Sequence, residues 1–502
     1  MKKAVQWIAE NHAQRINDLA ELVAIPSIST DGEHQREIDA CADLVARQMQ
    51  EAGLQNVDLL RSHGSNPYVY GEWLGAPGKP TVFLYSHYDV QPINYEAKWL
   101  SPPWTLTARD GRLYGRGAAD DKGAITAHLG AIAGFLKTIG ELPVNVKMVV
   151  EGEEEIGSKN LDGFFHEHKE KLKSDVIVVC DTDNIEVGTP CITYSLRGIV
   201  AVLVEVESAT RPVHSGQAGG ALADSAIALS VILSRLYGKD GRLPPELEDK
   251  AHVRKIDPAL RRTIKKLGFD PEKFRRDAGV LPGVQLANRK NVDVRQQTWR
   301  LPSANVIALE ASSIKHASNQ ILPKAQAIVS CRIVPDQDPQ EVLKNLQELL
   351  SKDPPWNVRV NVSPLGAPVK WWITDPKGPA FDAAMKALKA GYGTKPLAIG
   401  CGGSIGFVGP LSELFDDAPA LLLGIEDPQT NAHAPNESLH EDDFRKLTIS
   451  LAHLFTNLSK LSDVKAPSSK KEPKTVAEEA PASSSTETPA SAETETSRPA
   501  SE

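Results

Sequence analysis

Three apolar runs stand out along the chain: "TVFLYSHYDV" (81–90), "VNVKMVVEG" (144–152) and "SDVIVVCDT" (174–182). Each is too short for a buried helix and rich in β-branched residues, which predicts strands covered on both faces. "AITAHLGAIAGFLKTIG" (124–140), lying between the first two, has the apolar spacing of a helix. Strands alternating with helices predict an α/β fold with a mostly parallel sheet flanked by helices. In such sheets ligands gather at the carboxyl ends of the strands. All three runs end in imidazole or acid: His87 and Asp89, then Glu151, Glu153, Glu154 and Glu155, then Asp181 and Asp183.

From Gly198 the pattern changes. "IVAVLVEVES" (199–208), "ALADSAIALSVILSRLYG" (221–238), "QAIVSCRIVPD" (326–336), "PQEVLKNLQELLSK" (339–352) and "NVRVNVSPL" (357–365) predict strand, helix, strand, helix, strand. This reads as an α+β unit inserted into the first domain, with a charged stretch of little periodicity at 240–300 to which no chemistry is assigned. A helix resumes over 375–393 and a buried strand over 419–427. The organisation predicted is a main domain of 1–197 plus 373–462, interrupted by an inserted domain of 198–372. Beyond Leu461 aromatic residues, Leu and Ile disappear, so 463–502 is expected to be a disordered tail. At the other end, Glu10, Asn11, His12 and Gln14 break any apolar run, which predicts an amphipathic first helix in place of a signal peptide.

Composition narrows the function classes. The 502 residues carry a net charge of -9, which gives no support to nucleic-acid binding or attraction to an anionic membrane. No stretch approaches a membrane span. The five cysteines (Cys41, Cys180, Cys191, Cys331, Cys401) have no C-x-x-C spacing and fit reduced, buried thiols in a cytoplasmic compartment.

The candidate chemistry lies at the strand ends. In "EGEEEIGS" four carboxylates crowd into five positions, where they repel one another unless something neutralises them. "SHYDVQP" sets His87 and Asp89 two apart, on one side of a strand, so that the carboxylate can orient the imidazole as a metal ligand. "YGRGAADDKGA" has a glycine-rich turn but lacks phosphate-loop spacing, and Asp120 and Asp121 would repel a phosphate. "CDTDN" offers Asp181 and Asp183, and "NAHAPNE" offers His433. Two imidazoles with several carboxylates suit zinc, manganese or cobalt.

Taken together, "SHYDVQP", "GRGAADDKG", "EGEEEIGS", "CDTDN", "PCITYSLRG", "HSGQAGG", "CRIVP", "GGSI" and "NAHAPNE" resemble the dinuclear-zinc metallopeptidases. That family includes cytosolic non-specific dipeptidase, carnosinase, aminoacylase and succinyl-diaminopimelate desuccinylase, and the dipeptidase branch is the most similar. The resemblance implies a catalytic domain interrupted by a lid and dimerisation domain, two divalent ions per subunit, and a homodimer. It implies that His87, Asp120, Glu155, Asp181 and His433 bind metal, with Asp120 bridging. Asp181 follows from counting back from "PCITY" without a gap; a shifted register would substitute Asp183. Asp89 is implied to orient His87, and Glu154 to be the general base for attack by a zinc-activated water. Glu151 is expected to support them and Glu153 to be solvated. His214 is implied to stabilise the reaction intermediate from the partner subunit. Arg332 and the Gly402–Gly403–Ser404 turn are implied to hold the substrate's free carboxylate, and the Asp120–Asp121 peptide to be cis. The substrate expected is a dipeptide or short peptide; the alternatives are N-acyl amino acids or a non-catalytic scaffold.

Overall fold

The computed structural model describes residues 1–248, 253–256, 258–287 and 289–464. The expected tail lies outside the described residues from position 465 onward. The N-terminal amphipathic segment forms two helices, Lys2–Glu10 and His12–Val23. They break at Asn11, whose side-chain amide donates to the Trp7 carbonyl at 2.8 Å. A short amide-bearing side chain competes with the helix ladder in this way.

The central sheet has nine strands. From edge to edge they run Gln55–Leu60, Tyr68–Trp73, Asn145–Glu151, Thr81–His87, Val176–Asp183, Ala420–Glu426, Cys191–Leu196 and Trp372–Ile373, with Leu397–Gly400 also pairing to Cys191–Leu196. The middle of the sheet is parallel: Thr81–His87 pairs in parallel with both neighbours, and Val176–Asp183 with Ala420–Glu426. Antiparallel pairs flank it, so the sheet as a whole is mixed.

Strand parity divides the side chains between two cores. Val82, Leu84, Met148, Val176 and Val178 pack beneath a helical layer with Ile125, Leu129, Phe444 and Leu447. Phe83, Tyr85, Val149, Ile177 and Val179 face the other way, against Phe164, Phe165 and Val408. The helix Lys122–Thr138 is buried on every side from Lys122 to Phe135. Even the Lys122 ammonium is enclosed, donating to the Leu22 and Ile25 carbonyls at 2.9 and 2.8 Å. A buried charge persists only with partners of this kind.

A second, antiparallel sheet has the order Ser303–Glu310, Lys324–Ile333, Gly198–Glu207, Arg359–Pro364. Its residues alternate strictly between buried and half-buried along Gly198–Glu207. Val200, Val202, Val204 and Val206 pack on helices Ser225–Leu233 and Pro339–Ser351 through Leu229, Ile232, Leu346 and Leu350. The 240–300 stretch is not featureless: it contains helices Pro258–Lys266, Pro271–Asp277 and Val294–Arg300. Their shortness and dense charge hid their periodicity. All five cysteines are buried and free.

Candidate metal centre

Parity and register bring the first ligands together. On the Thr81–His87 strand, Phe83, Tyr85 and His87 share a face; on Val176–Asp183, Ile177, Val179 and Asp181 do. Tyr85 lies opposite Val179 in the parallel register, so His87 and Asp181 fall side by side one step further on. Asp120 approaches from the turn before the buried helix, through a cis Asp120–Asp121 peptide.

Two groups of ligand atoms result, His87 with Asp120 and Asp181, and Asp120 with Glu155 and His433; within each, all atoms lie within 4.8 Å of one another. Only Asp120 stands in both. His87 Nε2 lies 3.0 Å from one Asp120 oxygen, and His433 Nε2 lies 2.9 Å from the other and 3.2 Å from Glu155. His433 sits in a left-handed conformation, φ 62°, on the loop after Ala420–Glu426. Asp183 joins neither group; its carboxylate accepts from the Cys401 thiol at 3.8 Å.

The donor set fits divalent metal. Among the described residues no lysine or arginine pairs with Asp120, Asp181, Glu154 or Glu155. The buried His87 Nε2 makes no hydrogen bond despite its closeness to Asp120. Burial pushes the Asp181 carboxyl well up, reinforced by Asp121 and Asp120. Burial also lifts Glu154 to about 8, with Glu155, Asp120 and Asp89 adding to it against the opposing pull of His87. Burial disfavours a charged His433, yet its contacts with Asp120 and Glu155 raise it to about 11. Acids this crowded hold their charge when a cation shares it.

Asp89 does more than orient His87. The His87 Nδ1 is held by the Asp89 backbone carbonyl at 3.0 Å, while the carboxylate stands off at 3.5 Å. The carboxylate instead accepts the amides of Glu154 and Glu155 at 3.2 and 3.0 Å, and the Ser29 hydroxyl at 2.6 Å. It therefore anchors the short turn Glu154–Ile156 that carries the base and a ligand. Gly152 lets this turn pass close to Tyr88, since a Cβ there would fall 2.3 Å from the Tyr88 hydroxyl.

The four glutamates resolve differently. Glu151 is fully buried and accepts the Tyr85 hydroxyl at 2.5 Å. Glu153 is not solvated but buried, 3% exposed, accepting the Asn66 amide at 3.0 Å and the Asn160 side chain at 2.9 Å. Glu155 accepts from Gln91 at 2.7 Å. Glu154 is the one whose carboxylate forms no hydrogen bond among the described residues.

Other supports lie in the motifs without having been singled out. Glu437, fully buried, accepts the Ala119 and Asp120 amides at 3.1 and 3.2 Å and the Arg116 guanidinium at 2.6 Å. It ties the Asp120 turn to the His433 loop. Arg332 donates to the Ser404 hydroxyl at 2.8 Å. Arg197 lies beneath the same turn, donating to the Gly402 and Gly403 carbonyls at 2.9 and 3.0 Å. A Cβ on Gly402 would come within 3.0 Å of that guanidinium. No acid neutralises Arg332 or Arg197 among the described residues, and each lowers its charge preference through burial. His214 stands apart, exposed on a short strand of the inserted region, with its Nδ1 accepting the Gly216 amide.

A family model for peptidase family M20/M25/M40 matches residues 83–457. The cysteinylglycine-S-conjugate dipeptidase of Corynebacterium striatum is 33% identical over 455 residues, covering 90% of this chain and 97% of that protein. The solved structure of the di-peptidase Dug1p from Saccharomyces cerevisiae superposes with a TM-score of 0.82 at 25% identity, covering 92% of this chain and 98% of that one. Human carnosine dipeptidase 1 gives 0.81 at 27% identity, covering 92% and 99%.

Proposed function

The chain belongs to peptidase family M20/M25/M40, and from that premise we propose that it hydrolyses dipeptides or short peptides with a free carboxylate, using two divalent ions per subunit. The observation that carries this reading is the pair of ligand groups sharing Asp120. His87, Asp120 and Asp181 hold one ion, and Asp120, Glu155 and His433 the other. Imidazole and carboxylate donors suit zinc, with manganese or cobalt as substitutes.

When bound, such an ion pair lowers the pKa of water and polarises the scissile carbonyl. The chain's own groups supply the rest. Glu154, unpaired and raised toward neutrality, takes the proton of the attacking water and returns it to the leaving nitrogen. Asp89 fixes the Glu154 backbone, so the base stays in reach. Arg332, Ser404 and the Gly402–Gly403 turn receive the substrate carboxylate, for which a guanidinium fork is well shaped. Arg197 supports that turn from below.

A homodimer completes the site in this reading. Ser303–Glu310 is an edge strand that exposes Val306, Ile307 and Leu309, and nearby Ile314 is 96% exposed. An apolar edge of this kind pairs with another chain. The second copy would bring His214 to its neighbour's metal centre as an oxyanion donor. The buried free thiols support a reducing, cytoplasmic setting. Among the described residues, no helix is long and apolar enough to cross a membrane.

The dipeptidase names of the relatives favour dipeptides over N-acyl amino acids. The test is a panel of dipeptides and N-acetyl or N-succinyl amino acids, with zinc, manganese and cobalt added in turn. Dipeptide turnover with any of the metals is expected. Turnover of acyl amino acids alone would replace the reading with a deacylase, and no turnover of either class would favour a scaffold.

A further inference from the structure

Beyond the strand that carries His87 the chain runs out into a surface loop, residues 91–103. No residue from 91 to 100 is buried, and Tyr95 and Leu100 are 70% and 76% exposed. The short turn Glu96–Lys98 is its only regular element. A segment that sinks no side chain into a core opens easily unless polar contacts hold it.

Three anchors do so. At the start of the loop, the Gln91 side-chain amide donates to the Glu155 carboxylate at 2.7 Å. The buried Arg116 guanidinium donates to the Pro92 carbonyl at 3.2 Å and lies 5.6 Å from the Trp99 ring. The Arg116 backbone amide closes the far end, donating to the Pro103 carbonyl at 2.9 Å. Asn436 grips the middle: its side-chain oxygen accepts the Leu100 amide at 2.8 Å, and its nitrogen donates to the Lys98 carbonyl at 2.9 Å.

The anchors converge on one of the two ligand groups. Gln91 donates to the Glu155 oxygen that lies 3.2 Å from His433 Nε2. Asn436 stands three residues after His433, and both adopt left-handed backbone, φ 63° and 62°. Arg116 reaches the Asp120 turn through Glu437. Among the described residues, none of the three anchors bonds to His87 or Asp181. Glu155 and His433 come from distant parts of the chain, and the loop ties one to the other.

We propose that the 91–103 loop is a strap across the Glu155 and His433 side of the metal centre, with Gln91 and Asn436 as its positioning residues. The inference rests on the two-ion reading above and adds an inequality to it. The ion held by Asp120, Glu155 and His433 depends on the strap; the ion held by His87, Asp120 and Asp181 does not. A partner that orients a metal ligand governs about 10- to 100-fold in affinity.

The experiment titrates zinc into the metal-stripped, full-length protein and counts the ions bound per subunit. Wild type should take two. Asn436→Gly keeps the left-handed backbone without strain and removes both side-chain bonds to the loop. It should bind one ion as wild type does and the other about 10- to 100-fold more weakly. Gln91→Met, of similar length but without the amide, should do the same through an independent contact, and keeps the test open if Asn436→Gly misfolds. Leu100→Ala retains the backbone amide that Asn436 accepts, so it should bind both ions normally. Chymotrypsin should cut metal-free Asn436→Gly within the loop, at Tyr95 or Leu100, several-fold sooner than wild type. Unchanged affinity for both ions in the two variants, or equal weakening of both, would overturn the proposal and leave the two-ion reading intact. A wild type that binds fewer than two ions would bring down that reading and the inference with it.

Discussion

Two strands that look alike in sequence, Val176–Asp183 and Gly198–Glu207, have opposite fates in the fold. The first is buried on both faces until its last residues, where Asp181 and Asp183 emerge. The second alternates between buried and half-buried positions from end to end. A strand covered on both sides has polar freedom only at its tip, so its chemistry collects there. A strand covered on one side spreads its polar positions along its length, and its sheet keeps a free face and a free edge. The central sheet therefore concentrates charge at one point, while the second sheet leaves exposed apolar residues along its edge strand.

If that division holds, the largest effect comes from the shared ligand. Asp120→Asn should abolish turnover and empty both ion positions, read by elemental analysis of the purified variant. Retention of one ion with partial activity would mean that the groups do not depend on a common residue. His214→Ala should lower kcat by about 10²- to 10³-fold, the usual loss when an oxyanion donor is removed, with metal content unchanged. Normal kinetics would return His214 to an ordinary surface residue.

The second sheet is tested at its edge. Ile307→Asp combined with Leu309→Asp places charge on the exposed strand and should convert a dimer to a monomer by sedimentation or light scattering. Activity should then fall to the level of His214→Ala. An unchanged assembly would place the contact elsewhere.

A smaller effect concerns the metal-free protein. Burial lifts the folded-state Glu154 to about 8 from an ordinary value near 4.5. Between those values the folded chain binds the extra proton, so stability falls as pH rises. The melting temperature of metal-stripped protein should drop from pH 5 to pH 8, and added zinc should remove the trend. A flat profile without metal would show that the acids are neutralised by some other group.

The legible features were those set by local pattern. Apolar runs marked the central strands, and their acidic or imidazole ends marked His87, the glutamate cluster and the Asp181–Asp183 pair, while the choice of Glu155 and Asp181 within them came from the family resemblance. What escaped was set by distant contacts. Glu153 looked solvated, yet Asn66 and Asn160 close over it. Asp89 reads as a partner for His87, and its carboxylate does lie 3.5 Å from that ring, but its hold on Ser29 and the Glu154–Ile156 turn is not legible in sequence. Arg197 and Glu437 sat within recognisable motifs, and only the folded chain brings them to the Gly402–Gly403 turn and the Asp120 amide. The edge strand Gln55–Leu60 and its neighbour Tyr68–Trp73 carry too few consecutive apolar residues to declare themselves.

In the proposed mechanism the crowded glutamates separate into a proton carrier, Glu154, and a ligand, Glu155. Glu154→Gln, examined for metal content and dipeptide turnover on the same preparation, addresses it most directly. Wild-type metal content is expected, with turnover reduced by about 10²- to 10⁴-fold, as for loss of a general base. Turnover near wild type, or loss of metal along with activity, would contradict it.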